Sequence, residues 1–163
     1  HLAGSLGILW NKKEYFEKNT DLKKHRPDGM ILAYPVITAG EFAHRSSLVR
    51  LAGEDLKKQE IYSLEKLVDE DCVPVYLWGT FADDAVPVEN SLLLLNKLAK
   101  YRIPVEYHLF PEGVHGLSLA TKEVEEPEAQ RDPDKHIARW MPLCLEWLDH
   151  VMEKKAAVTK IFR

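Results

Sequence analysis

Basic blocks are missing from this sequence: 22 lysines and arginines are interspersed among 26 aspartates and glutamates, for a net charge of −4. Without a stripe of positive charge nothing tracks a phosphate backbone, and nucleic acid is not an expected partner. No apolar run approaches the ~20 residues that cross a bilayer, so no membrane span is expected. A glycine-rich phosphate loop is absent, and with it the case for a bound nucleotide. Cysteine is scarce. Cys72 and Cys144 stand alone, outside any C-x-x-C, and read as reduced, packed thiols. That weakly favours a reducing compartment, and cytoplasmic is the default localisation. His25, His108, His136 and His150 are scattered without ligand spacing, so no metal is expected. An initiating methionine and a signal-peptide pattern are lacking too: the sequence opens His1-Leu2-Ala3-Gly4, and further chain upstream is the expectation.

What is present suffices for a core. The 163 residues are the size of one domain, residues 1–163, and 45% of them are hydrophobic. Gly29-Met30-Ile31-Leu32-Ala33-Tyr34-Pro35 and Val73-Pro74-Val75-Tyr76-Leu77-Trp78-Gly79 are short apolar runs, the pattern of strands buried on both faces of a parallel sheet. Val105 to Phe110 alternates at first, which fits a strand nearer a sheet edge. Between the second and third runs Val88, Leu92, Leu95, Leu98 and Ala99 recur at helical spacing behind Pro87. Strand, helix, strand with short links is a βαβ unit, so the expected fold is α/β: a three-layer α/β/α sandwich with a mostly parallel sheet. A last helix runs from Ile137 to Val151, kinked at Pro142 or starting close to it. Residues 1 to about 17 read as helical, with Gly4 and Gly7 pointing to a close neighbour. Residues 38–70 form a mixed, lid-like excursion, and the acidic stretch 121–135 reads as a solvated loop.

In a parallel sheet, ligands sit outside the carboxyl ends of the strands. Gly79-Thr80-Phe81-Ala82-Asp83-Asp84-Ala85-Val86-Pro87 comes after one such end and Pro111-Glu112-Gly113-Val114-His115-Gly116 after the next. Adjacent strands are ~4.8 Å apart, so Asp83 and His115 can converge. A histidine that works as a general base needs its Nδ1–H held by a carboxylate, which fixes the tautomer and stabilises the imidazolium. Asp83 would be that orienter and His115 the base. Asp84 is the rival acid. For an isolated Asp and His, an exposed loop acid and a backbone-bonded ring would be the plainer interpretation.

Trp78 to Ser91, with its D-x-x-V-P pattern, resembles the acid segment of α/β-hydrolase esterases, and Phe110 to Ser118 looks like their histidine loop. His1-Leu2-Ala3 resembles the residues just after the nucleophile elbow, while Gly29 to Thr38 and Gly40 to Arg45 are similar to segments of acetyl-xylan-esterase-like members. The resemblance covers nearly the whole chain and implies the C-terminal part of an α/β-hydrolase fold, in the family order of Ser, then Asp, then His. It implies a serine esterase that needs no cofactor and takes a short-chain acyl ester or an acylated sugar as its small-molecule substrate. The departure is that no G-x-S-x-G occurs, so the nucleophile and its oxyanion donors are expected upstream. Ser5 lies in a helical segment and is no substitute.

His44 could border the substrate site or be an exposed lid residue, while Phe81, Leu117 and Trp78 could line an acyl pocket or belong to the core. Two rivals remain open: a prolyl-oligopeptidase-type peptidase and a non-catalytic binding domain of the same fold. The strand at 29–34 is expected to have an unpaired edge, so the isolated chain should self-associate, as a homo-oligomer or an aggregate, or require its missing N-terminal piece.

Overall fold

Six consecutive residues with no polar interruption except Thr80 make the central strand. In the computed structural model, which describes residues 1–18 and 20–161, β2 (Val75–Thr80) is buried along its whole length. It pairs in parallel with β1 (Met30–Ala33) on one side and β3 (Val105–Phe110) on the other, giving the order β1-β2-β3. The register sets Met30 and Val105 beside Val75, and Ala33 and His108 beside Trp78. β2 and β3 therefore end together at Thr80 and Phe110, β1 ends beside Trp78, and the loops after all three leave from one rim.

One face of the sheet carries Met30, Leu32, Val75 and Leu77. It joins Ile8 of α1 (Leu2–Leu9), Leu64, and Leu94 and Leu98 of α4 (Glu89–Lys100) in a continuous buried core. This is the parallel sheet with helical cover that the apolar runs predict. Two expectations need correction. The run at 29–34 is not buried on both faces, because Ile31 is 42% exposed. Among the described residues β1 lies at the edge of the sheet, as expected for the strand at 29–34, and an edge strand lacks flanking side chains on one side. The buried stripe of α4 is Asn90, Ser91, Leu94 and Leu98, whereas Leu92 is exposed. Leu92 to Leu95 are four leucines in a row, so periodicity alone cannot select the inward pair. The helix is oriented by Asn90, whose side chain bonds to the loop after β1. Its charges suit its dipole: Glu89 opens it and Lys97 and Lys100 close it.

α1 is shorter than the sequence predicts; a separate 3-10 turn comes next at Lys13–Tyr15. Its glycines have a steric reason. A Cβ on Gly7 would lie 2.5 Å from Met30 Sδ and 3.1 Å from Val73 Cγ2, and one on Gly4 would lie 2.9 Å from Leu64 Cδ1. Alanine is worth ~1 kcal/mol over glycine in a free helix, but here its methyl must displace the stiff, β-branched Val73. Gly7→Ala is therefore expected to lower stability by about 1–2 kcal/mol in urea denaturation; a gain in stability would show that α1 has slack against the sheet.

Residues 38–70 contain α2 (Arg45–Ala52), α3 (Leu56–Glu60) and a 3-10 turn at Leu64–Lys66. Asp55 caps α3, accepting from the N–H groups of Lys57 and Lys58. Cys72 is buried in the core, and burial pushes its thiol up to about 12, so it stays a packing residue.

By Cα proximity the chain divides into two compact units, His1–Gly116 and Leu117–Arg163. The first contains the sheet and its helices. In the second, residues 121–135 are largely exposed, with short 3-10 turns at Lys122–Val124 and Pro127–Ala129 and an ion pair between Arg131 and Glu126. Asp134 Oδ1 accepts from the N–H groups of His136 and Ile137 at 2.7 and 3.0 Å. α5 (Trp140–Ile161) comes last, its Trp140 donating from Nε1 to Ser118 O at 2.9 Å. Pro142 lies in its first turn, where a missing N–H costs no helical bond. No described helix is long and apolar enough to cross a membrane.

Candidate active site

The loops after β2 and β3 bring Asp83 and His115 together. Asp83 is an acid that the backbone shapes before any base arrives. Its Oδ1 accepts from the N–H groups of Ala85 (3.0 Å) and Val86 (2.8 Å), an Asx turn that folds the segment back toward Pro87 and α4. This leaves Oδ2 to the histidine, and His115 Nδ1–H donates to it at 2.7 Å. An ionised carboxylate is acceptor-only, so this bond places the ring proton on Nδ1 and makes Nε2 the basic nitrogen. The Asp83 side chain is only 2% exposed, whereas that of His115 is 31% exposed. The acid is shielded and the base reaches the surface.

The histidine loop is held at both ends. Phe81 N–H donates to Phe110 O at 2.7 Å, and Thr80 Oγ1 donates to Gly113 O at 2.8 Å. Gly113 and Gly116 have φ of 120° and 84°. Those are conformations that glycine adopts without a Cβ penalty, and they turn the loop so that the ring between them faces Asp83. Asp84 is exposed and is not the partner of His115. Asp84→Asn is accordingly expected to leave the His115 ring signals in an NMR spectrum unchanged; loss of the Nδ1–H resonance would reverse the choice of acid.

Tyr34 and Asn90 also shape the site, and neither is singled out by the sequence. Tyr34 directly follows β1 with φ of 37°, and its ring lies 4.8 Å from that of His115 and 5.0 Å from that of Trp78. The Tyr-Pro step closing the first apolar run is the one signal that could have flagged it. Asn90 is 1% exposed and anchors the loop after β1: its Oδ1 accepts from Ile37 and Thr38 N–H, and its Nδ2 donates to Phe42 O and Pro87 O. An asparagine on the inward face of a helix thus ties the first strand's exit loop to the segment carrying Asp83.

Of the remaining candidates, His44 precedes α2, its Nδ1 bonded to Ser47 Oγ (2.8 Å) and its Nε2 to Ser46 Oγ (3.2 Å). Phe81 is 63% exposed beside the acid loop. Leu117 is buried and opens the second unit. Trp78 is wholly buried, a core residue. Ser5 lies within α1, its hydroxyl donating to His1 O at 3.1 Å, which is helix geometry and no elbow. A groove of about 750 Å³ runs along α1 and is lined by Leu2, Leu6, Leu51, Ile61 and Tyr62 among others, without Asp83 or His115. Volume and chemistry disagree here, and the hydrogen-bonded Asp83–His115 pair marks the site better than an apolar hollow does. No cluster of metal-ligating side chains is found among the described residues.

No protein-family profile matches the chain. It is 40% identical over 126 residues to endo-1,4-beta-xylanase B of Butyrivibrio fibrisolvens, covering 76% of this chain and 20% of that one. The acetyl ester-xyloside bifunctional hydrolase of Caldicellulosiruptor lactoaceticus superimposes with a TM-score of 0.74 at 34% identity, over 93% of this chain and 53% of that one. A carboxylesterase of Lactobacillus plantarum gives 0.73 at 26%, over 91% and 54%. An α/β-hydrolase from a deep-sea metagenome gives 0.63 at 28%, over 94% and 50%. The parallel sheet and its helices are a partial α/β-hydrolase fold, and within that superfamily the chain is esterase-like. It spans about half the length of these solved structures and a fifth of the xylanase.

Proposed function

We propose that these residues serve a serine-type carboxylic ester hydrolase, with His115 as general base and Asp83 as its orienter. The observation that carries this is the 2.7 Å bond from His115 Nδ1–H to a carboxylate that two backbone N–H groups already hold. No G-x-S-x-G occurs in the 163 residues, and this reading requires a serine from outside them. In the reaction its Oγ attacks the acyl carbon while His115 Nε2 takes the hydroxyl proton. The ester C–O bond then breaks, and the same proton passes to the departing oxygen to release the alcohol. Water attacks the acyl-serine with its proton going to Nε2, and the carboxylic acid leaves as serine regains a proton. Asp83 stays ionised and offsets the imidazolium charge.

The substrate class is argued from the chain's relatives. Their named activities are acetyl ester-xyloside hydrolysis, carboxyl ester hydrolysis and xylan cleavage. Short acyl esters, acetylated sugars among them, are the substrates we assign. The test is acetate release from p-nitrophenyl acetate and from an acetylated xylo-oligosaccharide by the longer protein that includes the serine, with a peptidyl amide as the contrast. Esters should turn over and the amide should not. Hydrolysis of the amide alone would make it a peptidase, and turnover of neither would favour a binding domain.

A further inference from the structure

We infer that the groove along α1 and the free edge of β1 form one docking surface, whose occupant is the polypeptide segment that carries the nucleophilic serine. This rests on the reading above, which requires a serine from outside these residues. α1 carries the first observation. Its sequence, Leu2-Ala3-Gly4-Ser5-Leu6-Gly7-Ile8-Leu9, holds no charged residue, and a helix apolar all round is one with cover on every side. One face has its cover: Gly4, Gly7 and Ile8 are buried, with Gly7 against Met30 of β1. Among the described residues the other face has none. Leu2 is 86% exposed and Leu6 47%, and across the groove of about 750 Å³ stand Leu51, Ile61 and Tyr62, with Ile61 at 59%. A contiguous apolar surface of this kind marks a place where another protein surface sits.

The sheet supplies the second. Among the described residues β1 pairs with β2 alone. The N–H groups of Met30 and of Tyr34, just after the strand, donate to Pro74 O and Trp78 O. Alternation along the strand turns the main-chain groups of Ile31 and Ala33 to the outer side, where a further strand can pair with them. What fits this surface is apolar polypeptide. The serines lining the groove have committed hydroxyls, Ser5 Oγ to His1 O and Ser47 Oγ to the His44 ring, which leaves few polar groups to orient a sugar. Chain length selects the occupant over a second copy. The three solved structures above match 91–94% of this chain, which accounts for only 50–54% of theirs. About as much polypeptide again lies beyond the matched part of each, enough to extend a sheet left open at β1.

The test labels introduced thiols with N-ethylmaleimide in the longer protein that includes the serine. Leu6→Cys and Leu51→Cys put a thiol in the groove, Leu92→Cys puts one on an exposed surface of α4, and the native Cys72 and Cys144 are buried. The two groove thiols should react at least about a hundredfold more slowly than that of Leu92→Cys, whereas in the 163-residue chain all three should react at similar rates. Groove thiols as fast as that of Leu92→Cys in the folded longer protein overturn the inference. A photoreactive benzoylphenylalanine in place of Leu6 then identifies the occupant. Coupling to the stretch of the longer protein that holds the serine supports the inference, and coupling to a second copy or to any other domain overturns it. Ester hydrolysis separates the two levels. Protected groove thiols in a protein that cleaves no ester leave the docking surface standing and remove the esterase reading, whereas open groove thiols in an active esterase remove only the docking surface.

Discussion

Asp83→Asn is expected to lower turnover of p-nitrophenyl acetate by about ten-thousandfold in the protein that joins these residues to their serine. The size of the effect comes from the tautomer. In the parent, Oδ2 accepts from His115 Nδ1–H at 2.7 Å, and Oδ1 is occupied by the N–H groups of Ala85 and Val86. Asparagine can keep the turn by using its carbonyl oxygen on those two N–H groups. Its amide nitrogen then faces Nδ1 and donates where the parent accepted. The ring responds by moving its proton to Nε2, and the nitrogen that should receive the serine proton is already protonated. Fold and melting temperature should change little, while kcat should fall far more than KM rises. A loss of only a few fold would mean that Asp83 is structural.

The second large effect is on the fold. Trp78→Ala is expected to destabilise the chain by about 3–5 kcal/mol, a large share of the stability of a domain this size. Trp78 has no exposed surface, sits on the central strand, and meets the rings of Tyr34 and Phe110 at 5.0 and 6.3 Å. The Tyr34 and Phe110 rings cannot readily refill its space, because strands or strand ends carry both. Trp78→Phe should recover most of the loss. Urea denaturation reads both variants, and an alanine variant as stable as the parent would mean that Trp78 is not in the core.

Much of this was legible in the residues. The three apolar runs are the three strands, and their shared ends explain why D-x-x-V-P and G-x-x-H-G, distant in sequence, meet. The choice of Asp83 over Asp84 has a local cause: only Asp83 stands two and three residues before N–H groups that can close an Asx turn ahead of Pro87. Three features escaped. The inward face of α4 is set by Asn90, three of whose hydrogen bonds reach a loop some fifty residues away, and no local pattern encodes a partner at that distance. Ile31 looks as buried as Leu32 in sequence, even with an unpaired edge expected for the strand, because a continuous apolar run does not tell which face lacks cover. Tyr34 reads as one more apolar residue of a strand, and its place against His115 goes with a backbone dihedral that sequence propensity argues against.

The most direct measurement is ester hydrolysis by the serine-bearing protein with His115→Ala beside its parent, each checked for an unchanged melting curve. Removing the imidazole should lower acetate release by about a millionfold. A folded His115→Ala protein that still hydrolyses the ester at the parent rate would show that proton transfer happens elsewhere, and the assignment of this site would not stand.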